Sequence, residues 1–392
     1  MTKSLTKKVL ALVITIFTAL SLSACGGGVA GGGGGGGQTP TGDTLKLGLI
    51  APFSGSENMF GEYMRNGALI AIDELNAAGG VLGKQLELLT EDDMCDPTSA
   101  ANAANKLVTD GVVASVGGYC SGSTLPTEPI FYNAGIPMII SVANSDNLLK
   151  DTKGNVFLID GTGTQQAATA LKWVEKNDFK KLVVIDDKTD YSANLAARFV
   201  EFAKAAGLDV TTDSLVPKEK DFSAQDDKIK SSGADFFYFT GYVQEAGLLV
   251  NQAVKGGYTG SILLGDGSVD SKVAELAGLE NCKNVYATYT KTPDMLNDGG
   301  AFAKLYQAKS GGKDPGPYTI HSYDAVKVWA DAATRAGSTE MAKVDEALKT
   351  TNLEGLTGPI SFVENGSRSG EGGFVIVSNK DDGVFKLFDA LA

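Results

Sequence analysis

The sequence predicts a two-lobed α/β protein in which each lobe holds a doubly wound, mostly parallel sheet with helices on both faces. Three observations predict it. From Thr44 onward, short apolar or β-branched runs alternate with longer amphipathic segments. The alternation starts afresh near Val156, which implies a second lobe. The chain has 392 residues, 43% of them apolar, enough after Thr44 for two domains of ordinary size with a core each.

In order, Leu45 to Ile50 reads as a strand, Gly61 to Ala78 as a helix, Leu86 to Thr90 as a strand and Thr98 to Thr109 as a helix. Val112 to Val116 follows as a strand, then a helix near Ser123 to Tyr132, and strands at Pro137 to Ser141 and Val156 to Ile159. After the restart, helices are expected at Ala167 to Lys176, Ser192 to Ala205, Phe222 to Ser231 and Gln244 to Val254. They alternate with strands at Leu182 to Ile185, Val210 to Val216, Phe236 to Phe239 and Ile262 to Leu264. Gly79-Gly80, Gly207 and Gly256-Gly257 sit where helix C-terminal caps are wanted. Beyond Tyr289 the pattern is less regular, with helices at Tyr318 to Arg335 and Met341 to Lys349, then strands at Ile360 to Val363, Phe374 to Val377 and Val384 to Phe388.

Residues 1–24 read as an export signal. Lys3, Lys7 and Lys8 precede an apolar run, Val9 to Leu20, too short for a mature membrane-spanning helix, and small residues lead into Cys25. The stretch Leu22 to Cys25 resembles the bacterial lipobox, which implies acylation of Cys25 as the mature N-terminus. Several acyl chains would anchor the protein firmly to a bacterial membrane, on the periplasmic side or the cell surface. The glycines between Gly26 and Gly37 then serve as a tether, 25–43, and the folded part begins near Thr44.

The net charge is −13, and about −16 once the three signal lysines are removed, which argues against nucleic acid as a partner. Beyond Cys25 three cysteines remain, Cys95, Cys120 and Cys282, in a compartment that permits disulfides, so one must be left over.

Open α/β sheets bind ligands outside the carboxyl ends of their strands. Val112 to Val116 runs into Gly117, Gly118, Tyr119, Cys120, Ser121, Gly122, Ser123 and Thr124, a small, hydroxyl-rich turn whose N–H groups suit a carboxylate; an ordinary cap by Ser121 or Ser123 is the plainer alternative. Ile262 to Leu264 ends in Gly265, Asp266 and Gly267, where Asp266 either faces a cleft or serves as a turn residue.

The order and spacing of Leu47 to Gly55, Asp73 to Gly83, Cys95-Asp96-Pro97, Cys120 to Thr124, Lys220 to Ala224 and Gly316-Pro317-Tyr318 with Tyr323 resemble the leucine/isoleucine/valine-binding family of solute receptors. The resemblance covers nearly the whole exported chain. It implies the type I periplasmic-binding-protein fold, two lobes joined by three crossings, with lobe one at 44–161 and 290–357 and lobe two at 162–289 and 358–392. It implies an amino-acid zwitterion, branched-chain or otherwise aliphatic, caught between closing lobes and delivered to the permease subunits of an ABC transporter in the membrane. Ser121 and Gly122 match the carboxylate-binding turn, and Ala143 and Asn144 the second ligand loop, which is one residue shorter here, so that Ser145 competes for the role. Asp266 stands where the family has a glutamate that pairs with the ammonium. Tyr191, Phe60, Tyr242 and Tyr323 match aromatic positions at the cleft, with core packing the alternative for Phe60 and Tyr323. A Cys95–Cys120 disulfide is implied too. No enzyme activity, cofactor or metal is expected, and the protein is expected to be a monomer.

Four other readings compete with this one. Gly118 to Gly122 spell G-x-C-x-G between a strand and a helix, which would suit a cysteine hydrolase using Cys120 and His321, the one histidine. Gly161 and Gly163 lack the third glycine of a dinucleotide fingerprint, and the acidic clusters Glu91 to Asp93 and Asp226-Asp227 lack histidine companions and calcium-loop spacing. A tethered ligand sensor would keep the same fold and cleft and differ only in its partner.

Overall fold

The computed structural model describes residues 44–391; the signal segment, Cys25 and the glycine tract lie outside them. The first sheet consists of β1 (Leu45–Ala51), β2 (Leu86–Asp92), β3 (Ala114–Ser115), β4 (Met138–Ile140) and β5 (Val156–Leu158), ordered β2-β1-β3-β4-β5 and parallel throughout. Between these strands lie α1 (Asn58–Ala77), α2 (Pro97–Thr109), α3 (Ser121–Thr124) and α4 (Glu128–Asn133). In β1 the alternation of side chains decides the layers. Leu45, Leu47, Leu49 and Ala51 join Phe60, Met64, Ala68 and Ala71 of α1 in one apolar cluster, whereas Ile50 packs with Leu107 and Ile140 in another.

β3 is shorter than the run Val112 to Val116 predicts, yet its flanks still bond to β1: Val113, Val116 and Gly118 donate to the carbonyls of Lys46, Gly48 and Ile50 at 2.8, 2.8 and 2.9 Å. Gly117 permits this approach, since a Cβ there would stand 2.5 Å from both the nitrogen and the oxygen of Ile50. The helix expected near Ser123 to Tyr132 is broken into α3 and α4 by a 3₁₀ turn, Leu125–Thr127, where Pro126 and Pro129 supply no N–H to continue an α-helical ladder.

The alternation continues with α5 (Gly163–Lys176), β6 (Lys181–Asp186), α6 (Asp190–Ala205), β7 (Asp209–Ser214), α7 (Ser223–Ser232), β8 (Phe236–Phe239), α8 (Val243–Lys255), β9 (Ser261–Leu264), α9 (Lys272–Ala277) and β10 (Val285–Tyr289). Three helices follow, α10 (Ala301–Ser310), α11 (Thr319–Ala336) and α12 (Met341–Leu348); α11 packs along α1 and α12 against α11. The chain ends with a small hairpin, β11 (Leu353–Gly355) and β12 (Gly358–Ile360), and with β13 (Val375–Ser378) and β14 (Lys386–Asp389). The second sheet is ordered β14-β13-β10-β9-β8-β6-β7, parallel from β10 to β7 and antiparallel at β13 and β14. The sequence reading does not anticipate α9, β10 or α10, and its strand at Ile360 to Val363 is replaced by the hairpin arm β12.

The chain passes between the sheets three times: after β5, after β10, and between β12 and β13. A buried side chain binds the first and third passages together. Arg368 donates from Nη1 to the Ile159 carbonyl at 2.9 Å and to Thr357 Oγ1 at 3.0 Å, and from Nη2 to the carbonyls of Thr357 and Pro359 at 3.1 and 2.8 Å. Asp324 of α11 accepts from the backbone N–H groups of Leu356 and Thr357 at 2.9 and 2.8 Å. His321 holds the second passage, its Nε2 lying 2.6 Å from Thr290 Oγ1.

Candidate functional site

The two sheets turn their carboxyl edges toward one small space between the lobes. Tyr119 after β3, Val142 and Asn144 after β4, and Tyr318 before α11 wall it on the first lobe; Tyr191, Tyr242, Asp266 and Gly267 wall it on the second. Asp266 enters at the tip of β9, in a 3₁₀ turn, Asp266–Ser268, and is 2% exposed.

Neutral donors surround that carboxylate. Tyr191 donates its hydroxyl to Oδ1 at 2.6 Å, and Asn144 donates Nδ2 to Oδ2 at 3.1 Å from the opposite lobe. Burial raises the pKa of Asp266, while the hydrogen bond from Tyr191 and the nearby Gln166 and Tyr318 side chains oppose the rise. Tyr191 is fixed in turn, because its oxygen accepts the Gly267 N–H at 3.1 Å. Gln166 Oε1 accepts from Asn144 at 3.3 Å, and its Nε2 donates to Thr288 Oγ1 at 2.8 Å. Among the described residues this buried acid has no cationic partner, so it favours a positively charged guest.

Of the residues expected at the site, Asn144, Tyr191, Tyr242 and Asp266 meet at this cavity. Ser121 and Ala143 are buried beside it, not on its wall. Ser121 Oγ accepts from the Ser145 N–H at 3.3 Å, and Ser145 Oγ accepts from the Asn147 N–H at 3.3 Å, so the two serine loops are tied to each other. Gly122 looks toward Asp190 of the second lobe. Phe60 lies behind the wall, stacked on Tyr119 with ring centroids 4.6 Å apart.

Tyr323 is a correction. Its hydroxyl donates to Glu74 Oε2 at 2.5 Å on the outer side of α1, away from the cavity. The place expected for it is taken by Tyr318, which immediately precedes α11; five residues further along a helix the side chain has swung more than a third of a turn away. Tyr318 holds a left-handed conformation, φ 64°, stabilised by its N–H donating to the Tyr289 hydroxyl at 2.7 Å.

Sequence reasoning also missed Tyr119 and Val142, which flank residues it singled out, and Gln166, which follows the capping box of Thr162 and Gln165 at the start of α5. Glu57 stands beyond Tyr119 and accepts from its hydroxyl at 3.4 Å. Burial pushes the Glu57 carboxyl up to about 8, against hydrogen bonds from Ser56 and Tyr119 and with Glu245 and Asp270 adding to the rise.

Cys95 and Cys120 form a disulfide with Cα atoms 5.4 Å apart, which leaves Cys282, buried, as the free thiol among the described residues. No thiol is therefore available in the G-x-C-x-G turn, and the proposed hydrolase partner His321 is pushed down to about 3 by burial and held by Thr290. Among the described residues no group of three or more His, Cys, Asp or Glu could hold a metal ion, and no helix is long and apolar enough to cross a membrane.

Two α/β lobes joined by three passages around a buried acid define a solute receptor of the type I periplasmic-binding fold. The chain belongs to the periplasmic binding protein family, whose sequence profile matches residues 44–383, and to its leucine/isoleucine/valine-binding group. It is 34% identical over 327 residues to a leucine-, isoleucine-, valine-, threonine- and alanine-binding protein of Pseudomonas aeruginosa, covering 83% of this chain and 87% of that one. The leucine-binding protein LivK of Thermotoga maritima superposes with a TM-score of 0.80 at 30% identity, over 88% of this chain and 97% of the other. LivJ of Streptococcus pneumoniae, solved in complex with isoleucine, gives 0.77 at 29% identity, over 89% and 97%. These relatives are solute-binding proteins, and membership of a periplasmic family implies an extracytoplasmic location.

Proposed function

We propose that this protein captures an aliphatic amino acid between its lobes and hands it unaltered to the membrane permease of an ABC importer. The observation that carries the reading is Asp266, a carboxylate removed from water at the lobe interface and met by two neutral donors, Tyr191 and Asn144. An α-ammonium group offers it the missing charge. The ligand carboxylate is assigned to the tied turns of Ser121, Gly122 and Ser145, which supply hydroxyl and N–H groups on the first-lobe side of the cleft. The lobes proposed are 44–161 with 290–357 and 162–289 with 358–392. Their third junction extends past the hairpin, since the Leu158 N–H still donates to the Gly366 carbonyl at 3.0 Å. Acylation at Cys25, a glycine tether and a monomeric state complete the reading, drawn from the sequence. Names of the relatives, among them leucine-, isoleucine- and valine-binding proteins, support the ligand class.

Calorimetric titration with the aliphatic amino acids tests it, with amides and short aliphatic acids as controls that each lack one end of the zwitterion. Saturable binding of an amino acid, lost with both kinds of control, is expected. Equal binding of the deaminated acid would remove Asp266 from its assigned role. Transport is tested separately: uptake of the bound amino acid should fall on deletion of the protein and return when it is restored.

A further inference from the structure

We infer that Tyr119 limits the size of the ligand side chain, so that the cleft takes amino acids of alanine, serine or threonine size in preference to leucine or phenylalanine. The inference rests on the amino-acid reading and shifts its ligand from branched-chain to small side chains.

Tyr119 is 4% exposed and lines the cleft on the first lobe. Its ring is stacked on Phe60 at 4.6 Å, and it also meets Tyr318 at 5.8 Å and Tyr242 of the opposite lobe at 5.9 Å. Its hydroxyl reaches two acceptors at 3.4 Å, Glu57 Oε2 on its own lobe and the Gly267 carbonyl across the cleft, one residue beyond the acid assigned to the ammonium. Ring packing fixes the wall from behind, and the single hydroxyl proton of Tyr119 serves one of these acceptors at a time. The cavity between the closed lobes is about 10 Å³, room for about one water, so any amino acid must part the lobes to enter it.

The surrounding wall has little slack. A Cβ on Gly267 would come within 2.9 Å of Tyr191 and 3.1 Å of Tyr242, and one on Gly265 within 2.4 Å of the Tyr191 hydroxyl. A leucine side chain would have to displace a ring or hold the lobes further apart, and the second course gives up the Tyr119–Gly267 contact. A small side chain asks for the least separation. Among the described residues Val142 is the one aliphatic side chain on the wall, while the hydroxyl of Tyr119, with bonds at the long end of the range, can still partner a ligand hydroxyl.

Titration of L-alanine, L-serine, L-threonine, L-leucine and L-phenylalanine into the wild-type and Tyr119→Leu proteins reads the ratio of affinities within one protein, which partial unfolding does not move. The wild type should bind the best of the three small amino acids at least about tenfold tighter than leucine, and Tyr119→Leu should shift the leucine-to-alanine ratio at least about tenfold toward leucine. Wild-type binding of leucine as tight as that of the small amino acids overturns the inference, as does a ratio unmoved by the substitution. If Tyr119→Leu does not fold, the wild-type ratio decides alone. Failure of all five ligands with the wild type would instead overturn the amino-acid reading, and this one with it.

Discussion

Asn144 of the first lobe and Asp266 of the second are joined directly across the cleft, amide nitrogen to carboxylate oxygen at 3.1 Å. The amide thus occupies a donor position that an ammonium group would fill with full charge. The protein can close on itself through this neutral bond, and a ligand must improve on it to be held.

Asp266→Asn should therefore weaken amino-acid binding by about two orders of magnitude or more, since removing one partner of a buried charge pair costs about 3–5 kcal/mol. The ligand-free protein should melt no lower than the wild type, because the carboxylate it loses is buried without a cation. Calorimetry and thermal melting together check both halves.

Asn144→Leu removes the cross-cleft donor and leaves Asp266 with Tyr191 as its remaining close hydrogen-bond donor. Small-angle scattering of the ligand-free protein should show a larger radius of gyration than the wild type, as the closed arrangement loses population. An unchanged radius would mean that packing between the lobes, not this bond, sets the closed state.

Stability should fall as pH rises. The Glu57 carboxyl, facing Ser56, Tyr119, Glu245 and Asp270, moves from 4.5 up to about 8 in the fold. The folded state holds its proton where the unfolded chain has released it, so the contribution is fully present below about pH 4.5 and lost as pH passes through about 8. Melting temperatures measured from pH 4.5 to 9 should decline less steeply in Glu57→Gln than in the wild type.

The Cys95–Cys120 bond should contribute about 2–4 kcal/mol, given the 25-residue separation of its ends. Denaturant unfolding of the Cys95→Ala, Cys120→Ala double variant measures it. Thiol titration of the denatured chain beginning at Thr44 should find one thiol before reduction and three after it.

Periodicity made most of the fold legible, because the buried strands β6, β8 and β9 are compact apolar runs and the long helices bury one regular face. It failed where that signal is weak. β10 carries tyrosines and a threonine whose partners lie across the core and beyond; α9 has six residues, and α10 buries only Phe302 and Tyr306. At the site, Asp266 stood out as an acid between two glycines at a strand end. Tyr318 did not, since a left-handed tyrosine before a helix follows from the tertiary bond to Tyr289 and not from its neighbours in sequence. The Asn144–Asp266 pairing joins residues 122 positions apart in two lobes, so it depends on how the lobes meet.

The Arg368 clamp has a mechanical consequence. A planar guanidinium gripping two of the three connecting strands opposes any sideways shear of one half over the other, and lysine could not reproduce that fork. What it leaves free is rotation, like a book turning on a stitched spine. The rim furthest from the stitching then travels most, and a modest twist at the backbone becomes a wide mouth where solute enters.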